Sequence, residues 1–259
     1  MPLGHYFASQ ICGWIENQST IGPDAKSQVV VEYDNEGSAE IKHILVSVMN
    51  PEDTLENIRW YIEKKIRNGE MFISTEMYER YIKGKDFPIQ VNPCGDWKIG
   101  GPISDCGVTG RKIVVDQYGG YCNVGGGAFS GKDLSKVDRS GAYAARYIAK
   151  SIVAAGIADV AKVEMTYVIG EPKPVSINVV LDRNKDKIPE IKKIIEEKFP
   201  TKVADIIKAF HHVNPYISRL SRASHFGYMT VDELMTKYSC PWENEKRGAK
   251  YFKEITGKN

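Results

Sequence analysis

The sequence predicts an α+β fold of two similar domains, each an antiparallel or mixed β-sheet backed by α-helices. Three observations predict it. The order helix, strand, strand, helix occurs twice along the 259 residues. Both strand pairs are joined by turn-forming residues, which favours antiparallel pairing. A glycine-rich stretch separates the two units, and helices segregated against antiparallel strands form a stable two-layer solution. The seam is placed near Gly100 and Gly101, giving a first domain over 1–100 and a second over 101–259. Without residue-level identity between the units, the repeat is one of structure.

In chain order, residues 5–16 read as a helix, with Phe7, Ile11, Trp14 and Ile15 at helical spacing. "KSQVVVEYD" reads as a strand, "NEG" as a tight turn, and "SAEIKHILVSVMN" as the returning strand. The next helix is placed near "PEDTLENIRWYIEKKI", with Pro51, Glu52 and Asp53 as its start and Leu55, Ile58, Ile62 and Ile66 as its inner stripe. In the second unit "VDRSGAYAARYIAKSIVAAG" is a helix ending at Gly156, and Ala142, Ala145, Ala149, Ala154 and Ala155 are expected to let it pack closely. "DVAKVEMTYVIG" and "KPVSINVVLD" form a hairpin through "GEPK", and "KIPEIKKIIEEKF" is an amphipathic helix.

Composition narrows the function classes. A formal net charge of +2 gives no global field, so extended nucleic-acid or membrane-surface binding has no support, and any anion site must be local. The five cysteines are scattered without a C-x-x-C pair, so free thiols are expected rather than a disulfide framework or zinc site. No window approaches the roughly 18 apolar residues of a membrane span, and no basic stretch leads into an apolar run. A soluble, cytoplasmic protein is the expectation.

The chemistry concentrates in the glycine-rich stretch from Gly95 to Ser135. "GGGAFSGKD" spells most of a Walker A phosphate loop, G-x-x-x-x-G-K from Gly126 to Lys132. However, Asp133 replaces the Ser or Thr, and no hydrophobic parallel strand precedes it, so a P-loop is not expected. Around it the chain presents Arg111, Lys112, Lys132 and Lys136 as cations and Asp105, Asp133 and Asp138 as carboxylates. Arg and Lys neutralise phosphoryl oxygens, glycine admits backbone N–H groups, and Asp ligates a hard divalent cation. The helix N-terminus at "SKVDRS" favours anions too. Structural roles stand beside this reading. Asp138 completes an S-x-x-D capping box with Ser135, Lys132 and Lys136 can be solvated, and Arg111 can pair with Asp105.

"GGPISDCGVTGRKIVVDQYGG" together with "GGGAFSGKDLSKVDRSGAYAARYIAKSIVAAG" closely resembles the S-adenosylmethionine synthetase (methionine adenosyltransferase) family. "PDAKSQVVVEYD" resembles an upstream block of it, and "SHFG" and "PWE" a weaker downstream end. The resemblance implies synthesis of S-adenosylmethionine from ATP and L-methionine, with release of phosphate and diphosphate, and Mg2+ and K+ as cofactors. It makes Lys26, Arg111, Lys132 and Lys136 the catalytic set. Asp24 and Lys26 then contact adenosine and phosphate, and Trp97 stands where the family usually carries an adenine-stacking Phe. Asp105 lies near the substrates, Arg111 and Lys112 bind polyphosphate, Lys132 and Lys136 serve the phosphate and methionine sides, and Asp138 is a Mg2+ ligand.

One departure accompanies the match. The family's "GHPDK"-like block, which supplies a histidine, a metal-binding aspartate and a potassium-site glutamate, has no counterpart here. A separate N-terminal polypeptide completing a split enzyme is the favoured expectation. A fragment of a longer enzyme, and a non-catalytic ATP- or tripolyphosphate-binding or regulatory subunit, are the alternatives. The family's sites lie between subunits, so self-association as a dimer or tetramer is expected through a largely apolar sheet face that includes "VVVEYD".

Overall fold

A computed structural model describes residues 1–22, 24–211, 217–218, 220, 225–227 and 240–256. Chain contacts divide it into Met1–Val108 and Thr109–Asn259. The first unit opens with α1 (Leu3–Glu16), two residues earlier than its apolar period requires, burying Leu3, Phe7, Ile11 and Ile15. Strands β1 (Ala25–Tyr33) and β2 (Ala39–Val48) follow as an antiparallel pair, Ala25 opposite Val48 and Tyr33 opposite Ala39. A register shift between Val30 and Val31 carries the inner face of β2 from Ile41 to Ile44, Val46 and Val48. Each such side chain taken from water is worth about 1.5–3 kcal/mol, so that face fixes the register.

Helix α2 (Leu55–Arg67) buries Ile58, Ile62 and Ile66. It starts four residues after Pro51, because the Thr54 hydroxyl accepts from the Asn57 N–H and makes the better cap. Two elements of the first unit escaped the sequence reading, α3 (Thr75–Tyr81), capped by Ser74, and the three-residue strand β3 (Ile89–Val91). β3 pairs parallel to β2, which makes the sheet mixed, in the order β1-β2-β3. Its outward face is not largely apolar as expected. Val30 and Leu45 share it with Lys26, Gln28, His43 and Ser47.

In the second unit α4 (Val137–Ala154) is followed by β4 (Ala161–Thr166) and β5 (Ser176–Leu181), antiparallel with Ala161 opposite Leu181. The strands end sooner than expected, leaving residues 167–175 as the connection, where Pro172 and Pro174 offer no N–H. Then come α5 (Ile188–Lys198), α6 (Val203–Phe210), a 3-10 turn at Pro241–Glu243, α7 (Glu245–Ala249) and α8 (Lys253–Thr256). Helix α4 is the central element, packing on β4, α6 and α7. The small residues that bury on it are Ser140, Gly141, Ala144 and Ser151. The alanines expected in that role lie on its half-buried and exposed sides. All five cysteines are free thiols, and burial pushes that of Cys240 up to about 12. No helix among the described residues is long and apolar enough to cross a membrane.

Candidate functional site

In the first unit the start of β1 and the segment after β3 bring three of the expected residues together. The Asp24 carboxylate accepts the Gly101 N–H at 2.8 Å, and Lys26 Nζ lies 5.7 Å from the centre of the Trp97 ring. Trp97 is fixed through its backbone: its N–H donates to Asn50 Oδ1, and its carbonyl accepts the Asn50 N–H, both at 2.8 Å. Asn50 is itself held by Asn92, whose side-chain amide bridges the N–H and carbonyl of Val48 like an added rung of sheet. The two buried asparagines were missed in the sequence. Asn92 also has φ 44°, a conformation that asparagine tolerates better than most residues. Asp105 follows the 3-10 turn at Gly101–Ile103, its N–H bonded to the Gly101 carbonyl at 2.9 Å, with its carboxylate exposed.

In the second unit the geometry is set by close backbone approaches. No strand lies between Thr109 and Lys136, so the Walker-like string is not a strand-to-helix P-loop. Instead Thr109 and Gly110 pack against it. A methyl added to Gly110, where φ is +78°, would overlap Cβ of Ala128, and the position of one on Gly131 lies 3.8 Å from Thr109 Cγ2. The residues after this contact, Arg111 and Lys112, are exposed. Lys132 closes a turn onto the Phe129 carbonyl and extends its ammonium to Asp138 Oδ2 at 2.8 Å. Asp138 is thus turned towards Lys132 and does not cap α4, whose start carries no side-chain cap.

Asp133 takes a local role. Its carboxylate accepts the Ser135 N–H at 2.7 Å and Lys136 Nζ at 3.0 Å. Hydrogen bonding from the Ser135 side chain first, then from Lys136 and the Ser135 N–H, holds its titration well below the usual carboxylate range. Gly127 makes room for Asp138, since a methyl there would overlap the aspartate carboxyl carbon. Gly127→Ala is therefore expected to push Asp138 off Lys132 and to cost about 1–2 kcal/mol as an overpacking change. Gly125→Ala meets nothing within 4 Å and should stay within about 0.5 kcal/mol; chemical denaturation of the two variants checks the contrast.

The residue that organises this loop is one the sequence reading passed over. Arg139 is 2% exposed. Its Nη1 donates to the carbonyls of Phe129 at 3.0 Å and Lys132 at 2.6 Å, its Nη2 to that of Ile217 at 3.1 Å, and its Nε to Tyr143 Oη at 2.9 Å. Because arginine can only donate, Tyr143 Oη accepts from it and gives its own proton to His225 Nδ1 at 2.7 Å. The neutral imidazole then carries its proton on Nε2, which has no hydrogen-bond partner among the described residues. Burial, then the nearby Arg139 charge, hold His225 down to about 4. The signal available in the sequence was spacing: Arg139 shares the i, i+4, i+8 row of Tyr143 and Tyr147, the inner face of α4.

Farther along α4, Glu243 is buried and accepts Arg146 Nε and Nη2, each at 3.1 Å, Lys150 Nζ at 2.9 Å and the Gly227 N–H at 3.0 Å. Trp242 stacks on Tyr143 with ring centres 3.8 Å apart and donates Nε1–H to the His225 carbonyl. The "PWE" string is thus the cover of α4. Ser224 of "SHFG" lies outside the described residues, as does Pro23.

Residues 1–97 match the family model for the S-adenosylmethionine synthetase central domain, and residues 99–243 match that for its C-terminal domain. An S-adenosylmethionine synthase of Lacticaseibacillus casei is 44% identical over 229 residues, 87% of this chain and 55% of the relative. One of Mesoplasma florum is 42% identical over 206 residues, covering 79% and 53%. A solved structure described as an unusual S-adenosylmethionine synthetase from Campylobacter jejuni superimposes with a TM-score of 0.80 at 29% identity, covering 97% of this chain and 67% of that one. The chain spans about half the length of the curated relatives it matches. Two consecutive domain models that between them take in Lys26, Trp97, the Thr109–Lys112 segment, Lys132 and Asp138 leave one assignment: the chain belongs to the S-adenosylmethionine synthetase family.

Proposed function

We propose that the chain is a subunit or fragment of an S-adenosylmethionine synthetase. It would form S-adenosylmethionine from ATP and L-methionine, with release of phosphate and diphosphate, together with a separate polypeptide that completes the site. The observation that carries this reading is the packing of Thr109–Gly110 on Ala128 and Gly131. It sets "TGRK" beside the loop that presents Lys132 to Asp138. A cation pair, a further lysine and one carboxylate on a glycine-lined backbone suit a chain of phosphoryl groups. The methionine sulfur is a neutral nucleophile attacking C5' in line, so no general base is required. The work is orientation and positive charge fixed in advance around the departing tripolyphosphate. Arg111, Lys112, Lys132 and Lys136 are assigned to that charge, and Asp24, Lys26, Trp97 and Asp105 to the adenosine side.

Magnesium fits the donor set in a limited way. No group of three or more His, Cys, Asp or Glu side chains among the described residues could hold a metal. Mg2+, however, commonly keeps its waters and binds through one or two carboxylates plus substrate phosphates. Asp138 would hold it, and the ion would neutralise phosphate charge. Potassium rests on the family resemblance alone, with no residue of this chain assigned to it. Self-association into a dimer or tetramer and a cytoplasmic location belong to the same proposal.

Co-purification from the native source followed by an assay with ATP and methionine is the test. S-adenosylmethionine formed only in the presence of the co-purifying polypeptide is the expected result. Full synthesis by this chain alone would refute the two-polypeptide reading. Tight ATP binding with no turnover in any combination would favour a non-catalytic binding subunit. Lys132→Ala is expected to weaken tripolyphosphate binding at least about tenfold, the scale of one charge-assisted bond. The Lys132–Asp138 pair is solvent-exposed, so the variant should melt within about 2 °C of the parent.

A further inference from the structure

We propose that Arg139 is the positioning residue of the phosphate-facing loop, fixing the backbone from which Lys132 projects. The inference rests on the functional reading above and adds a residue to it. A cation 2% exposed is costly to bury, and folds usually offset that cost with a carboxylate. Arg139 has no such ion pair among the described residues. Three of its four hydrogen bonds go to main-chain carbonyls, and two of these, Phe129 and Lys132, are the ends of a single turn.

That turn is closed by the Lys132 N–H on the Phe129 carbonyl at 3.2 Å. It passes through Gly131 at φ +86°, a conformation glycine adopts without strain. One guanidinium nitrogen therefore grips both ends of the turn, and the orientation of the Lys132 side chain follows from that grip. Among the described residues no carboxylate pairs with this buried positive charge behind the loop, and the charge adds to the loop's attraction for an anion. A residue needed only for packing at this place on α4 could be apolar, as Ile148 and Ile152 are on the same helix.

The test is a double-mutant cycle read by calorimetric titration of the intact chain with inorganic tripolyphosphate. Arg139→Lys, which keeps the charge but not the two-carbonyl grip, should weaken binding at least tenfold. In the Lys132→Ala background the same change should add less than threefold, because both act through one lysine. Ile152→Ala, a cavity at the far end of α4, serves as the stability control; it should lower the melting temperature while leaving tripolyphosphate affinity within twofold. If Arg139→Lys does not fold, Arg139→Gln, which can still donate to one carbonyl, takes its place in the cycle. Multiplicative effects of the two changes, or an affinity that follows melting temperature across all variants, would overturn the inference. No tripolyphosphate binding by the unaltered chain, alone or with the co-purifying polypeptide, would instead refute the functional reading itself, and this inference with it.

Discussion

Glu243→Ala is expected to destabilise the second unit by about 3–5 kcal/mol, the range for breaking one side of a buried ion pair. The carboxylate is 4% exposed and accepts bonds from Arg146, Lys150 and the Gly227 N–H. Its removal leaves Arg146, itself 14% exposed, with its charge over the rings of Tyr118 and Phe226 but with no other carboxylate partner among the described residues. Lys150 keeps Glu245 at 2.9 Å and suffers less. For a unit of this size the loss is about 10 °C in melting temperature. Guanidinium denaturation measures it, and joint replacement of Glu243 and Arg146 by leucine discriminates the cause. If the penalty is an orphaned buried charge, the double variant should recover most of the stability; if it falls further, the pair itself is what binds the cover to α4.

Acidification from pH 6.5 to about 4 is expected to remove about 3 kcal/mol through His225. Its folded-state titration is held down to about 4, by burial first and then by Arg139, while an unfolded imidazole titrates near 6.5. Between those values the unfolded chain binds a proton that the native one refuses, so stability falls with pH and levels off below about 4 on this account. Glu243 then takes over. Burial raises its titration, but Arg146 and Lys150 outweigh that and hold it below its ordinary value. Its contribution is present above the unfolded carboxylate range and is lost as pH falls through the lower folded one. Unfolding free energies at pH 7.5, 5.5 and 4 check the slope. His225→Asn, whose side-chain oxygen can stand in for Nδ1, should flatten the part above pH 4.5. His5, also lowered by burial and by the chain's amino group, shifts the first unit in the same direction, so the comparison is with that variant rather than with a flat line. An unchanged slope in His225→Asn would remove His225 as its source.

Most elements legible in the sequence had room for a period: α1, α2, α4, α5 and the strands β1 and β2 each repeat an apolar pattern over nine or more residues. β4 and β5, six residues each, were placed with the help of the turn residues between them. β3 spans three residues and α3 seven, too few for alternation or helical spacing to stand out. The charged residues of the candidate site stood out as lysine, arginine and aspartate gathered in and beside a glycine-rich stretch, while Asp24 and Lys26 were singled out by the family resemblance alone. What could not be read was the contact of Gly110 with Ala128, a tertiary approach between two loops without periodicity. Arg139 was missed for the opposite reason. It lies in a helix, where a cation is ordinarily solvated, and only the burial of its whole row turns it inward.

The partnership of α4 with Trp242 and Glu243 also sets an order of events during synthesis. Arg146 and Glu243 are 97 positions apart, and at 5–20 residues per second a ribosome takes roughly 5–20 s to travel between them. For that interval the aromatic row of α4 waits for its cover, so chaperone binding to the nascent second domain is an expected result. Slowed translation within residues 150–240 should lengthen its exposure.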